Sequence, residues 1–482
     1  MNDQYSKPGG VVLILALLLL TVNALFAQVT MPALFSDNMV LQQKSNVAIW
    51  GWASPGQKIV ISGSWDKNAV KAVADSTGKW KARLRTIRAG GPYMISVNGD
   101  DPGAHSILIR NVWLGEVWLC SGQSNMNFPM AKLASWRTGI DNYEEEIAGS
   151  ADSLIRMFTV EQATNAVPQS NVKGSWQLSG PGTAGNFSAV AYYFAREIRK
   201  ATGVAVGIIH SSVGGTPAES WVAEEVLHAD TAFASIQEKY AKAVKADPKA
   251  LHDTKSPSVL YNAMIHPLEP FTIRGICWYQ GESNSDRAYQ YRRLFPALIE
   301  NWRKDWGADL PFYFVQIAPH YSKVPEIREA QFLTYRRVAK TGMVVITDAG
   351  DSLNIHPRNK KIVGERLALW ALAKDYGIRH LTCSGPLYKD MKIEGNKIRI
   401  RFDFAGSGLV AKDGALREFM IAGNDGHFVP ARAVIEGKAI VVSCEQVKAP
   451  VAVRFAWKNF PQPNLYNKKG LPASPFRTDE WL

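Results

Sequence analysis

Four segments of this chain place small polar residues, glycines and a histidine where acyl-transfer chemistry could use them. Ser124 stands in Ser121-Gly122-Gln123-Ser124-Asn125, just after the apolar run Val112 to Cys120. A serine at the carboxyl end of a buried parallel strand faces the crevice where open α/β sheets place ligands, and the amides after such a turn can face an anion. Ser124 is therefore the candidate nucleophile, with a Ser/Asn cap on a surface turn as the competing reading. Val204 to Ile209 runs into His210-Ser211-Ser212-Val213-Gly214-Gly215-Thr216, whose glycines could admit a substrate or present an N–H to it. Ile273 to Tyr279 ends in Gln280-Gly281-Glu282-Ser283-Asn284, and Met343 to Thr347 leads through Asp348 and Asp351 to Asn354-Ile355-His356-Pro357. Serine, then glycine, then an amide side chain, then histidine before the last helix is the order of a serine hydrolase with its base on the final loop.

The elements that would hold these residues alternate. Apolar strands interleave with amphipathic stretches at Ser188 to Thr202, Asp286 to Trp306, Glu326 to Lys340 and about Asn359 to Lys374, a doubly wound pattern over residues 111–377. Residues 28–110 carry short β-type runs such as Val47-Ala48-Ile49-Trp50 between Pro-Gly, Asn-Gly and Gly-Gly turns, which predicts a small β-sandwich. Residues 378–482 return to strands, with Lys397 to Phe402 alternating cleanly. The two β-regions are candidates to pack as one module around an inserted catalytic domain. Gly406-Ser407-Gly408-Leu409-Val410-Ala411 fits a dinucleotide fingerprint, but the flanking β-type segments favour a hairpin loop.

Taken together, Gly122-Gln123-Ser124-Asn125-Met126, Gly214-Gly215-Thr216-Pro217, Trp278-Tyr279-Gln280-Gly281-Glu282-Ser283-Asn284 and Ile355-His356-Pro357 resemble the motif blocks of the SGNH (GDSL-like) hydrolase superfamily, specifically the sialate O-acetylesterase family and its acetylxylan esterase relatives. Leu34 to Gln42 and Gly51 to Gly56 also resemble the family's amino-terminal β-region, so the likeness covers roughly residues 30 to 480. It implies an α/β fold, an SGNH-type doubly wound parallel sheet flanked by N- and C-terminal β-sandwich-like regions. It also implies that Ser124 attacks the ester with His356 as base, and that the Ser124 and Gly215 amides and the Gln280 side chain form the oxyanion hole. Gln280 stands where other members of the superfamily use asparagine. Gln123, Asn125, Glu219, Trp221, Trp278, Tyr279, Glu282 and Asn284 lie beside the motifs as candidate substrate contacts, or as packing behind them.

The sequence departs from the superfamily's Asp-x-x-His spacing, since Leu353 stands three residues before His356. Either Asp351 reaches back to the imidazole, or a backbone carbonyl orients it and a Ser-His dyad operates, or Asp348 or another acid serves. His266 repeats the Ile-His-Pro triplet but precedes the third strand, which suits a structural or pocket-lining role. His210, just before the glycine loop, reads as a packed or capping residue, and His252 and His320 carry no recognisable partners.

The expected substrates are O-acetylated sialic acids, with acetylxylan or another acetylated glycan as the alternative and a noncatalytic carbohydrate-binding protein as the reading from another class. No cofactor is implied, and no histidine pair has metal-site spacing. The 482 residues are 46% hydrophobic and 20% charged, an ordinary globular composition with room for two or three domains. The formal charge of +12 is spread over helix faces such as Arg292-Arg293 and Arg336-Arg337, which argues against a nucleic-acid partner and favours anionic glycans. Lys7 followed by the apolar run Val11 to Leu20 and Ala24-Leu25-Phe26-Ala27 predicts a signal peptide over residues 1–27 and an exported, periplasmic or secreted protein. The run is short of the ~20 apolar residues of a membrane span, so no stable span is expected after cleavage. Of four cysteines, Cys120 and Cys277 fall in core strands as free thiols, while Cys383 and Cys444 could pair in an oxidising compartment. Oligomeric state is not legible.

Overall fold

A computed structural model of the chain describes residues 28–100, 106–133 and 136–481; the apolar amino-terminal segment lies outside them. Seven strands build the central sheet: β1 (Ile107–Gly122), β2 (Asp152–Thr159), β3 (Trp176–Ser179), β4 (Ala205–Ser212), β5 (Gly275–Tyr279), β6 (Phe312–Val315) and β7 (Thr341–Val344). Their order is β7-β6-β5-β1-β4-β2-β3, parallel throughout except for the antiparallel edge strand β3.

Burial along β1 changes character midway. Its first half is only partly covered and pairs antiparallel with Gly90–Gly99, whereas Leu114 to Gly122 is buried without interruption and pairs parallel with β4 and β5. A parallel strand covered on both faces requires such an unbroken apolar run. The boundary expected at 110/111 therefore falls inside one continuous strand, and the amino-terminal strands extend the same sheet. A second layer, Asn46–Trp52 paired with Lys79–Arg85, covers them.

Four long helices sandwich the sheet: α1 (Ala189–Thr202), α2 (Ala288–Trp306), α3 (Pro325–Arg337) and α4 (Lys360–Lys374). Each overlaps one of the amphipathic stretches read from sequence. Ser188 caps α1 by accepting from the Ala191 N–H at 3.2 Å, and Asn359 caps α4 through Ile362 at 3.3 Å. On β6, Phe312 meets Phe295 and Trp302 of α2, while Tyr313 meets Trp370 of α4. Successive strand residues point to opposite faces, so α2 and α4 lie on opposite sides of the sheet. The helix α1 packs on α4, and α2 packs on α3.

The carboxyl-terminal region forms small antiparallel sheets around its own cluster, including Ile398, Ile400, Ile421, Val442 and Phe455. The amino-terminal apolar residues instead belong to the same cluster as the central sheet. The two β-regions thus do not make one module, because strand continuity at β1 commits the first of them to the catalytic core. Gly406-Ser407-Gly408 sits in a turn between Lys397–Asp403 and Leu409–Ala411. All four cysteines are free: Cys120 and Cys277 lie side by side on β1 and β5, Cys383 packs in the main cluster, and Cys444 packs against the carboxyl-terminal one. The pairing considered for Cys383 and Cys444 is absent, since their partners belong to separate cores. Among the described residues no helix is long and apolar enough to cross a membrane.

Candidate active site

From β1 the chain winds through β2, β3 and β4 on one side of the sheet, then crosses to β5, β6 and β7 on the other. The winding reverses at β1, flanked by β4 and β5, and the crevice at the carboxyl end of such a strand is where doubly wound sheets bind ligands. Gly122 ends β1 with φ of 142°, and a Cβ there would stand 2.1 Å from the Tyr279 carbonyl oxygen. Only glycine lets the turn into Ser124 pass so close to β5. The turn is tied by the Gln123 N–H to the Tyr279 carbonyl at 3.0 Å, and by the Val213 N–H to the Gly122 carbonyl at 3.2 Å.

His356 Nε2 lies 2.9 Å from Ser124 Oγ, within reach for proton transfer. The imidazole is half-buried, with the Trp136 ring centroid 4.5 Å away and Phe128 at 6.4 Å. Burial first, then the Lys360 and His320 charges, depress its proton affinity to a pKa of about 4. It is therefore neutral, the form a general base must take, through the neutral pH range. Gly214 adjoins Ser124, since a Cβ on it would meet the serine Cβ at 3.5 Å; Gly215 beside it has φ of 74° and is exposed. The Ser124 and Gly215 N–H groups have no acceptor among the described residues.

Two residues expected in the machinery are placed elsewhere. Asp351 is exposed and its Oδ1 accepts the Leu353 and Asn354 N–H groups at 2.9 and 3.0 Å, which hold its carboxyl below the usual range. Its carboxylate is spent on its own turn and forms no ion pair with His356. Asp348 is gripped by Arg366 at 2.7 and 2.8 Å, so it does not serve either. Gln280 is fully buried: its Nε2 donates to Asn284 Oδ1 at 2.7 Å and to the Thr216 carbonyl at 3.3 Å, and its Oε1 accepts from the Tyr291 hydroxyl at 3.0 Å. With both amide ends committed, Gln280 braces the glycine loop and does not face an oxyanion.

The residues considered for substrate contact are mostly buried as well. Trp221, Trp278 and Tyr279 are core side chains. Gln123 Oε1 accepts from the Gly281 and Ser283 N–H groups, fixing the turn after β5. Asn284 Nδ2 donates to Glu219, whose other oxygen is paired with Arg287 at 2.7 Å. Asn125 is wholly buried, donating to Glu282 at 2.6 Å and to the Ile355 carbonyl at 3.1 Å, and accepting from Lys360 Nζ at 2.6 Å. His210 is buried against Ser212, and His266 Nδ1 lies 2.8 Å from the Gln169 carbonyl oxygen; neither approaches Ser124 by any hydrogen bond.

A cavity of about 820 Å³ opens beside the glycine loop, with Gly215, Glu219 and Glu282 at one end. Its lining also includes Lys239 and Tyr240 from the helix Ala234–Ala246, the cations Lys255, Arg287 and Lys323, and the carboxylates Asp253 and Asp286. Lys239 and Lys255 have no ion-pair partner among the described residues. Sequence reasoning missed Phe128, Trp136 and Lys360. The signal for Lys360 was present: it shares the stripe of α4 occupied by Val363, Leu367 and Ala371, all buried, so a lysine there faces inward.

Residues 114–372, more than half of the chain, match the family described as "Carbohydrate esterase, sialic acid-specific acetylesterase". The mouse sialate O-acetylesterase is 29% identical, with 92% of this chain and 93% of the mouse protein covered. The human sialate O-acetylesterase is also 29% identical, with 92% and 91% covered. Among solved structures, a carbohydrate acetylesterase from Xanthomonas citri superimposes with a TM-score of 0.83 at 39% identity, covering 94% of this chain and all of that one.

Proposed function

This chain belongs to the sialic acid-specific acetylesterase family of carbohydrate esterases, and from that premise we propose that it removes O-acetyl groups from sialic acids through a Ser124 acyl-enzyme. The observation that carries this reading is the 2.9 Å contact between Ser124 Oγ and His356 Nε2. Neutral His356 takes the serine proton as Oγ bonds to the acetyl carbon. The carbonyl oxygen becomes an oxyanion that the unengaged Ser124 and Gly215 N–H groups would receive. Collapse breaks the bond to the sugar oxygen, which leaves with the proton held by His356. Water then attacks the acetyl-serine with His356 again as base, releasing acetate and restoring the hydroxyl.

The sugar would occupy the cavity beyond Gly215, where Lys239 and Lys255, unpaired although Asp253 and Asp286 share the lining, offer positive charge to a carboxylated sugar. A neutral acetylated glycan such as acetylxylan is the second reading, supported by the 39% identity to the carbohydrate acetylesterase from Xanthomonas citri. Comparing kcat/KM on purified acetylated sialic acids and on acetylated xylan separates them. Ser124→Ala should lower turnover on any acetyl ester at least about a thousandfold; a folded variant retaining a tenth of the rate, on the order of 1 kcal/mol of barrier, removes Ser124 as nucleophile. Export is part of the proposal, resting on the Val11 to Leu20 run and Ala27. A mature amino terminus near residue 28 in an extracytoplasmic fraction is the expected result.

A further inference from the structure

With no carboxylate among the described residues paired to His356, other groups must hold the Ser-His pair in working geometry. Behind Ser124 lies a polar chain that the esterase chemistry leaves unused. Lys360, at the first position of α4 and wholly buried, donates from Nζ to Asn125 Oδ1 at 2.6 Å and stands 4.8 Å from the Phe128 ring centroid. Both Nδ2 hydrogens of Asn125 are also used, one on Glu282 Oε1 at 2.6 Å and one on the Ile355 carbonyl at 3.1 Å. The Asn125 amide thus has a single satisfactory orientation, oxygen to the ammonium and nitrogen to the carboxylate. Glu282 is anchored in turn, since Lys323 Nζ donates to its backbone carbonyl at 3.0 Å.

We propose that Lys360, Asn125 and Glu282 form a buried clasp that positions His356 against Ser124, taking over the orienting part of a triad acid's role but not its stabilisation of imidazolium. Asn125 follows the nucleophile and Ile355 precedes the base, so one side chain fixes the backbone on both sides of the reacting pair. Lys360 also places a positive charge near the imidazole. The groups facing His356 are Lys360 from α4, His320 from the loop before α3, the Ser124 hydroxyl, and the uncharged Phe128 and Trp136 rings. Asp351 remains in its own turn. Lys360 and His320 both disfavour imidazolium, and burial acts in the same direction. Burial also pushes Lys360 down to about 7 and Glu282 up, so the clasp is charged most fully on its lysine side at the acid end of the pH range.

The inference rests on the Ser124–His356 esterase reading, and a generic aryl acetate as substrate keeps it independent of which sugar is recognised. Lys360→Met leaves Glu282 buried without a counter-charge, so Lys360→Met/Glu282→Gln, which buries no unpaired charge, is the second variant. Folding is checked by circular dichroism and thermal melting. In the double variant, kcat should fall about a hundredfold or more with KM changed less than about threefold, as for an interaction realised in the transition state. The acid limb of kcat/KM should move upward by about half a pH unit or more, because a like charge has been removed from beside the imidazole. Ser124→Ala run in parallel separates the two readings. Activity remaining in Ser124→Ala counts against the esterase assignment. With Ser124→Ala inactive, a folded double variant that keeps more than about a third of wild-type kcat overturns the clasp, and so does one that loses activity with its acid limb unmoved.

Discussion

An imidazole taken out of water holds its second proton less well, and burial first, then the Lys360 and His320 charges, hold His356 to a pKa of about 4. Catalysis needs the neutral ring, so kcat/KM should stay level as pH falls through 6 and drop with a midpoint near 4, well below the ~6.5 of a free histidine. A pH–rate profile with an acid midpoint above about 6 would contradict that placement. Asp351 makes a complementary case. Its Oδ1 accepts two backbone N–H groups, a task an asparagine oxygen performs equally well, so Asp351→Asn should cost less than about tenfold in kcat. A loss of about ten-thousandfold, as when a triad acid is replaced by its amide, would bring Asp351 back to the imidazole. Ser124 and His356 were legible because strand-end position and order along the chain carry the information. Asp351 was not, since proximity in sequence says nothing of where a carboxylate turns, and two nearby amides captured it.

Loops are positioned by the strands they leave, and here the loops after β4 and β5 are bound to each other more than to solvent. Gln280 reaches from the end of β5 to the Thr216 carbonyl beyond β4, and Asn284 takes both the Gln280 amide and the Ala218 N–H, the latter at 2.9 Å. Gln280→Ala would leave the buried Tyr291 hydroxyl only its 3.5 Å contact with the backbone carbonyl of residue 280, and would loosen this brace. Stability should fall by about 2–4 kcal/mol, from lost buried hydrogen bonds and the space left behind. Turnover should fall less than the ~100-fold or more expected on removing an oxyanion donor. An unchanged melting temperature with a thousandfold loss of kcat, the magnitude of a lost oxyanion donor, would place Gln280 in the oxyanion hole instead. The strands and four helices could be read from periodicity, because an apolar run or stripe reflects burial directly. The brace could not, because a glutamine beside a nucleophile motif looks the same in sequence whether it faces substrate or core.

At the scale of the whole molecule, charge pairs join the carboxyl-terminal region to the catalytic domain beside apolar contacts such as Phe404 on Trp370. Arg477, nearly buried on a terminal strand, donates from Nε to Glu329 of α3 at 2.8 Å, and Arg292 of α2 reaches the same carboxylate. The Ser474 hydroxyl and the Gln316 amide, both buried, add a hydrogen bond at 3.0 Å. Neither contact could be foreseen, since ion pairs across about 150 residues leave no local pattern, whereas the separate β-character of residues 378–482 was plain from alternation. Glu329 answers two arginines from different elements, although Arg477 also has Asp479 at 3.5 Å. Glu329→Leu should therefore leave the partly buried Arg292 without a counter-charge and Arg477 with Asp479 only, at a cost of roughly 3 kcal/mol concentrated at the junction. Each region has its own apolar cluster, so the loss should weaken their coupling more than either core. Calorimetry of the intact enzyme should then show one cooperative transition, and Glu329→Leu two, with the carboxyl-terminal region melting first. Arg477→Met, which leaves Glu329 still paired with Arg292, should lower the melting temperature less. Equal shifts in the two variants, or a single unbroken transition in Glu329→Leu, would mean that apolar contact rather than this carboxylate joins the two regions.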